Sequence, residues 1–142
     1  MEIDEASVEH AQANYRLGNL TFQRADMLDL ASLTAASFDL VTCFESLEHV
    51  HDHDRLMTEV LRVLKPEGTF VVSTPDRLVY SVEEGRDNPF HVHELAQDEF
   101  AALLSTNFRH VRVWGQSTAV GSVLRPLGPE DGPGEVLTLV GE

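Results

Sequence analysis

The stretch Phe38–Asp76, FDLVTCFESLEHVHDHDRLMTEVLRVLKPEGTFVVSTPD, decides the fold. It holds two apolar runs, Phe38–Phe44 and Thr69–Ser73, and such runs suit strands that are buried on both faces of a parallel sheet. Between them, a segment that ends near Leu64 carries apolar residues at helical spacing, and an aspartate at position 52 or 54 can cap it. A strand, a helix and a strand in this order predict a parallel β-α-β unit with a right-handed crossover.

The flanking sequence extends this pattern in both directions. Apolar periodicity predicts helices at Asp4–Arg16 and Leu95–Ser105, and strands at Leu20–Ala25, Phe108–Trp114 and Val136–Val140. Residues 117–135 contain three prolines and several glycines, which predicts a long loop before the last strand. Because a loop and not a helix joins the last two strands, one of them can run antiparallel at the edge of the sheet.

Composition limits the classes of partner. The 142 residues include 10 basic and 24 acidic side chains, for a net charge of −14, and this length suits one domain. So acidic a surface repels a phosphate backbone, which argues against nucleic acid and anionic membranes as partners. Cys43 is the single cysteine, so no intrachain disulfide can form, and the polar N-terminus does not resemble a secretory signal. We expect a cytoplasmic protein; its oligomeric state stays open.

Polar residues follow the predicted strands in order. Asp4 and Asp26 come after the first two candidate strand ends, Glu45 follows the apolar run that ends at Phe44, and Thr74 follows the next one. In an open parallel sheet, ligands bind beyond the carboxyl ends of the strands. The sequence therefore predicts a ligand site along one rim of the sheet.

Five short motifs include or flank these strand ends: Ile3–Ser7 (IDEAS), Ala25–Leu30 (ADMLDL), Ser37–Cys43 (SFDLVTC), Leu47–Val50 (LEHV) and Leu61–Gly68 (LRVLKPEG). Their order and spacing closely resemble the motif series of class I S-adenosylmethionine (SAM)-dependent methyltransferases. The resemblance implies an α/β, Rossmann-like domain over residues 1–142, with a mostly parallel sheet and helices on both faces. The family's first strand and glycine-rich loop have no counterpart, since no Gly-x-Gly precedes Gly68, so we expect a truncated form of a longer enzyme.

The resemblance assigns cofactor contacts position by position. Asp4 matches the acid that accepts hydrogen bonds from both ribose hydroxyls of SAM, and Asp26 matches the acid that contacts the adenine amino group. Met27 would pack on the adenine ring, while Cys43 and Phe44 match positions that line the methionine part. Each also has a structural interpretation: the two aspartates can be cap or turn residues, and the other three can be core residues.

The acceptor side of the site is expected around Glu45-Ser46-Leu47-Glu48-His49. This stretch resembles the metal-binding segment of the small-RNA 3′-terminal 2′-O-methyltransferases and of the ubiquinone-pathway O-methyltransferases. His91 matches a later histidine of the RNA-modifying family. The resemblance implies that Glu45, Glu48, His49 and His91 bind a divalent cation, and such ligands suit Mg²⁺, Mn²⁺ or Zn²⁺. Without a metal, His49 or His91 would act as the base.

The expected function is SAM-dependent methyl transfer to a hydroxyl of a small molecule. A base is needed for that acceptor because a hydroxyl must lose a proton. A catalytically inactive remnant that binds a partner is the alternative. An NAD-dependent dehydrogenase shares the strand-end acids, but its Gly-x-Gly-x-x-Gly fingerprint is absent here.

Overall fold

The computed structural model describes residues 1–118, 122–126 and 137–141. The helices are α1 (Glu5–Asn14), α2 (His53–Val63) and α3 (Gln97–Asn107). The strands are β1 (Phe38–Phe44), β2 (Leu64–Pro75), β3 (Arg112–Thr118), β4 (Ser122–Pro126) and β5 (Leu137–Gly141). A 3₁₀ turn at Leu47–His49 follows β1, and a π-helix at Leu78–Glu83 follows β2. No helix within the described ranges has the length and apolar character needed to cross a membrane.

The sheet has the order β1-β2-β5-β3-β4, and its neighbours are parallel except for β3 and β4. The predicted β-α-β unit is therefore confirmed. The antiparallel edge strand is β4, so the prediction of a loop was wrong for Ser122–Pro126. Pro126 ends this strand, and proline is tolerated at a sheet edge. The prediction that one of the last two predicted strands runs antiparallel was also wrong, because β3 and β5 pair in parallel with each other. Residues 119–121 and 127–135 of the predicted loop lie outside the described residues.

The core lies where α2 and α3 meet the sheet. One crossover runs from β1 through α2 to β2, and the other runs from β2 through α3 to β3. Both advance in the same direction along the sheet, so right-handed connections put α2 and α3 on one face. Their apolar stripes join side chains of β2 in a single cluster, whose fully buried members include Leu56, Met57, Phe70, Val72 and Phe100. This packing holds β1 and β2 beside each other. It therefore also fixes the position of the sheet rim, where the carboxyl ends of the two strands lie.

The apolar run of β1 is not buried on both faces, contrary to the prediction. Val41 and Cys43 pack against the core, but Phe38, Leu40 and Phe44 are 37%, 54% and 51% exposed. Among the described strands β1 lies at the edge of the sheet, and its outward side chains are covered by none of the described helices. An apolar run has the same composition in an edge strand as in a central one, so the sequence could not separate the two.

The predicted strand at Leu20–Ala25 is also wrong, because only one parallel bridge forms there among the described residues. It pairs Glu2 with Arg24, with hydrogen bonds from Glu2 N to Gln23 O and from Ala25 N to Glu2 O. The segment after it then runs alongside α2 in the same direction. Arg55, in the first turn of α2, donates to Leu28 O, and Arg62, in its last turn, donates to Leu33 O. The start of this segment therefore lies near the sheet rim at which α2 begins.

Candidate active site

The rim begins with Glu45, the residue after β1. Its backbone is left-handed, with φ of 46°, a conformation that is unfavourable for a residue with a Cβ atom. The neighbouring strand holds it there: Glu45 N donates to Ser73 O at 3.1 Å, and Ser73 Oγ donates to Glu45 Oε1 at 2.6 Å. The turn redirects the chain so that the following 3₁₀ turn lies across the strand ends.

Glu48, in that 3₁₀ turn, is a buried carboxylate with few partners in the described part of the chain. The residue is 1% exposed, and its Oε2 accepts a hydrogen bond from Thr74 Oγ1 at 3.1 Å. Burial raises the pKa of the Glu48 carboxyl above its ordinary value, and the nearby charge of Glu45 adds to the effect. A buried carboxylate in this environment favours the binding of a proton or a cation.

Two histidines face the same space with defined ring orientations. His49 Nδ1 lies 2.8 Å from Phe90 O, and His91 Nδ1 lies 2.5 Å from Glu94 Oε1. A carbonyl oxygen can only accept, so the neutral His49 ring must carry its proton on Nδ1. That leaves the lone pair on His49 Nε2, which lies 3.9 Å from Glu48 Oε1. The two rings meet edge to face, with centroids 5.1 Å apart.

These side chains line one cavity of about 270 Å³. Glu45, Glu48, His49 and His91 belong to its wall, together with Pro75 at the end of β2. The other two wall residues, Tyr80 and Arg86, were not predicted from the sequence. Tyr80 and Arg86 come from the π-helix region, and the Arg86 guanidinium lies 5.2 Å from the centre of the Tyr80 ring. No motif or strand end marks the segment that carries them, so sequence reasoning had no signal by which to find them.

Three of the four predicted metal ligands lie together. One donor atom each from Glu48, His49 and His91 fall within 4.8 Å of one another, a spacing that a single ion could bridge. Glu45 lines the same cavity but is not part of this group. The set of one carboxylate and two imidazoles suits Zn²⁺ or Mn²⁺ better than Mg²⁺, which prefers oxygen ligands.

The two predicted SAM aspartates follow the bridged residues in parallel register. Asp4 lies two residues after Glu2, and Asp26 lies two residues after Arg24. Asp4 Oδ2 accepts from Ser7 N at 2.7 Å, which caps α1, and hydrogen bonding by Ser7 lowers the pKa of the Asp4 carboxyl. Asp26 Oδ1 accepts from Leu28 N at 2.8 Å. Each thus has the structural role that the sequence allowed.

The other predicted SAM contacts have mixed environments. Met27 and Cys43 are partly buried against the core, whereas Phe44 is half exposed at the end of β1. Burial raises the pKa of the Cys43 thiol to about 11, and the Glu48 charge adds to this. Cys43 is therefore a packing residue in its thiol form and a poor nucleophile at neutral pH.

Known proteins have sequences similar to much of this chain. Residues 1–72 match the family described as Methyltransferase domain. The chain belongs to this methyltransferase family. A probable SAM-dependent methyltransferase of Mycolicibacterium smegmatis is 39% identical over 109 residues, which are 75% of this chain and 40% of that protein. A ubiquinone biosynthesis O-methyltransferase of Psychrobacter cryohalolentis is 36% identical over 73 residues, which are 51% of this chain and 28% of that protein.

Solved structures support the methyltransferase fold. The putative methyltransferase in a complex with the Haloferax volcanii Trm112 activator aligns with a TM-score of 0.64 at 23% identity, over 74% of this chain and 47% of that one. The YcgJ protein of Bacillus subtilis aligns with a TM-score of 0.59 at 28% identity, over 80% of this chain and 51% of that one. The chain spans about two fifths of the length of the curated relative from M. smegmatis.

Proposed function

We propose that the protein transfers a methyl group from SAM to a hydroxyl of a small molecule. The observation that carries the proposal is the pair of histidines, His49 and His91, whose rings meet in one cavity beside the ends of two parallel strands. Family membership supports SAM as the donor. A similar protein is named an O-methyltransferase, which supports a hydroxyl as the acceptor.

The chain's own residues fit SAM at the same rim. A carboxylate is an acceptor with two oxygens, so Asp4 and Asp26 can serve their helix cap and turn and still accept from a ribose hydroxyl or an adenine amino group. Met27, Cys43 and Phe44 would supply the apolar contacts to the ring and the methionine chain. When bound, SAM supplies a methyl group that is already activated.

The cavity residues would then prepare the acceptor. His49 Nε2 or His91 Nε2 accepts the hydroxyl proton, and the other residues hold the acceptor oxygen in line with the methyl group. The volume of about 270 Å³ lies just below the usual range of ligand pockets, so it suits a single small ring or a short chain. A small acceptor also agrees with the net charge of −14, which disfavours a nucleic acid.

Methyl transfer is tested with radiolabelled SAM and a panel of phenols and aliphatic alcohols. We expect H49A or H91A to slow transfer by about 10²–10⁴-fold, the usual contribution of a general base. H110A is the matched control, because His110 is exposed and does not line the cavity. Failure of the wild-type protein to methylate any hydroxyl acceptor would contradict the proposal. If calorimetry also gives no heat at millimolar SAM, a non-catalytic binding role would replace it.

A second candidate role for the same residues is to hold a divalent cation near the acceptor. It is favoured by the grouping of Glu48, His49 and His91 within 4.8 Å. A bound cation would lower the pKa of an acceptor hydroxyl and fix its oxygen, and these side chains would do the holding. Calorimetric titration with Mn²⁺ or Zn²⁺ should give a one-to-one isotherm that H91A abolishes and H110A leaves unchanged. A flat wild-type titration would leave the base role as the explanation of the two histidines.

A further inference from the structure

Glu94, a largely buried side chain outside the predicted site, contacts His91. His91 and Glu94 side chains are each 9% exposed, and Glu94 Oε1 lies 2.5 Å from His91 Nδ1. The other carboxylate oxygen, Oε2, accepts a hydrogen bond from Ser81 Oγ. Glu94 is therefore held between a hydroxyl from the π-helix and an imidazole from the following loop, and both contacts are partly buried.

The remaining neighbours of His91 fix the plane of its ring. The Tyr80 ring packs against it with centroids 5.2 Å apart, and the His49 ring meets it edge to face. The loop itself is anchored, since Val92 N and His93 N both donate to Glu48 O, at 2.9 and 3.1 Å. A ring held on its faces and at Nδ1 has one atom left for chemistry, Nε2, on the residue that lines the cavity.

We infer that Glu94, itself oriented by Ser81, is a positioning residue that keeps the His91 proton on Nδ1 and so presents the Nε2 lone pair to the acceptor cavity. An ionised carboxylate has no hydrogen to donate, so Nδ1 must be the donor in this contact. A lone pair at Nε2 is what a base needs and also what a metal ligand needs, and a carboxylate behind a histidine is a common way to fix that tautomer. The inference deepens the proposed function, and its catalytic consequence rests on it.

The tautomer is measured directly in long-range ¹H–¹⁵N correlation spectra of the ¹⁵N-labelled chain, with no SAM, acceptor or metal added. H91Q assigns the His91 signals. In the wild-type protein we expect His91 to show a protonated Nδ1 and an unprotonated Nε2. In E94A this preference should be lost, and in S81A it should weaken. E83A is the matched control, because it removes an exposed carboxylate of the same segment and should leave the His91 signals unchanged.

A wild-type His91 that carries its proton on Nε2, or on both nitrogens, would overturn the inference. So would an E94A spectrum that keeps the wild-type tautomer. If E94A does not fold, as judged by circular dichroism, S81A decides, and an unchanged tautomer in S81A counts against the inference.

The kinetic readout separates the inference from the proposed function. In a transfer assay we expect E94A to lower kcat by about 10–100-fold with little change in the KM for the acceptor. If the tautomer responds as expected but the wild-type protein transfers no methyl group, the proposed function fails and the positioning role stands. If transfer occurs but neither kcat nor the tautomer responds to E94A, the positioning role of Glu94 fails and the proposed function stands.

Discussion

Replacing Glu48 by glutamine should make the protein more stable at neutral pH. The carboxyl is 1% exposed and, among the described residues, accepts one side-chain hydrogen bond, from Thr74. Burial raises the pKa of this carboxyl, so the folded state holds the proton more tightly than the unfolded chain does. At pH 7 the ionised form of the Glu48 carboxyl therefore destabilises the folded state. The amide oxygen of the introduced glutamine can still accept from Thr74, and its NH₂ group can face the cavity.

The magnitude follows from the environment of the group. A buried polar or charged group with incomplete hydrogen bonding destabilises by about 1–3 kcal/mol, so E48Q should raise the free energy of unfolding by about that amount at pH 7. The direction in which stability changes with pH follows from the linkage between protonation and folding. A carboxyl with a raised folded pKa loses stability as pH rises from its unfolded pKa, near 4.5, to its folded pKa. Below that window both states are protonated, and the advantage of E48Q should disappear.

Urea denaturation at a series of pH values measures the difference between wild type and E48Q. E59Q is the matched comparison, since Glu59 is also a buried glutamate, 5% exposed. Its carboxylate accepts from Leu30 N and Arg62 at 2.9 Å, and hydrogen bonding by Arg62 lowers the pKa of the Glu59 carboxyl. Its stabilisation is present above pH 4.5 and is lost as pH falls through the lowered folded pKa, so E59Q should be less stable than wild type at pH 7. An E48Q protein that is no more stable than wild type at pH 7, or whose advantage does not change with pH, would refute the reasoning.

Three further predictions concern other parts of the molecule. Burial raises the pKa of Cys43 from 9.0 to about 11, so its thiolate fraction at pH 7 should be about 100-fold lower than that of an unperturbed thiol. A disulfide reagent should therefore label Cys43 far more slowly in native buffer than in urea, and equal labelling rates would contradict this. G68A should destabilise the protein by about 1–3 kcal/mol in urea denaturation, since a Cβ there would lie 2.7 Å from Leu64 Cγ, and G18A, where the Cβ meets nothing within 4 Å, is its control. D26N should weaken SAM binding in calorimetry while E9Q, on the exposed face of α1, should not; equal affinities would remove Asp26 from the cofactor site.

The sequence predicted the elements that have strong periodicity. Helix α2 begins after Asp52, which accepts from Arg55 N as a cap, and its apolar stripe is buried as the spacing required. The parallel pairing of β1 with β2 followed from the same stretch. The failures were decided by tertiary contacts. Residues 20–25 have the composition of a strand but find one bridge partner in the described structure, and Ser122–Pro126 has turn-forming neighbours but pairs with β3.

The candidate site could be predicted only in part, because some of its residues follow strand ends and others reach it only through tertiary contacts. Residues after strand ends could be found, because parallel strands deliver them to one rim, and Glu45, Glu48 and His49 do line one cavity. His91 came from a family resemblance, and it lies beside them. Tyr80, Arg86 and Glu94 reach the rim through the π-helix and the loop that follows it. No local pattern marks such a segment, and Glu94 is identified only by its hydrogen bonds with Ser81 and His91.

The contrast between the two buried glutamates separates structure from function in this molecule. Glu59 has cationic and backbone donors around it, and it ties the segment before β1 to α2. Glu48 has one hydroxyl donor among the described residues and a histidine at 3.9 Å, in a wall that also holds Glu45 with its left-handed backbone. Selection for stability alone would favour a neutral residue at position 48 and glycine at position 45. Both unfavourable features occur at the same rim and line the same cavity. This coincidence supports the proposal that the rim binds a ligand, because functional sites are where a sequence departs from what stability alone favours.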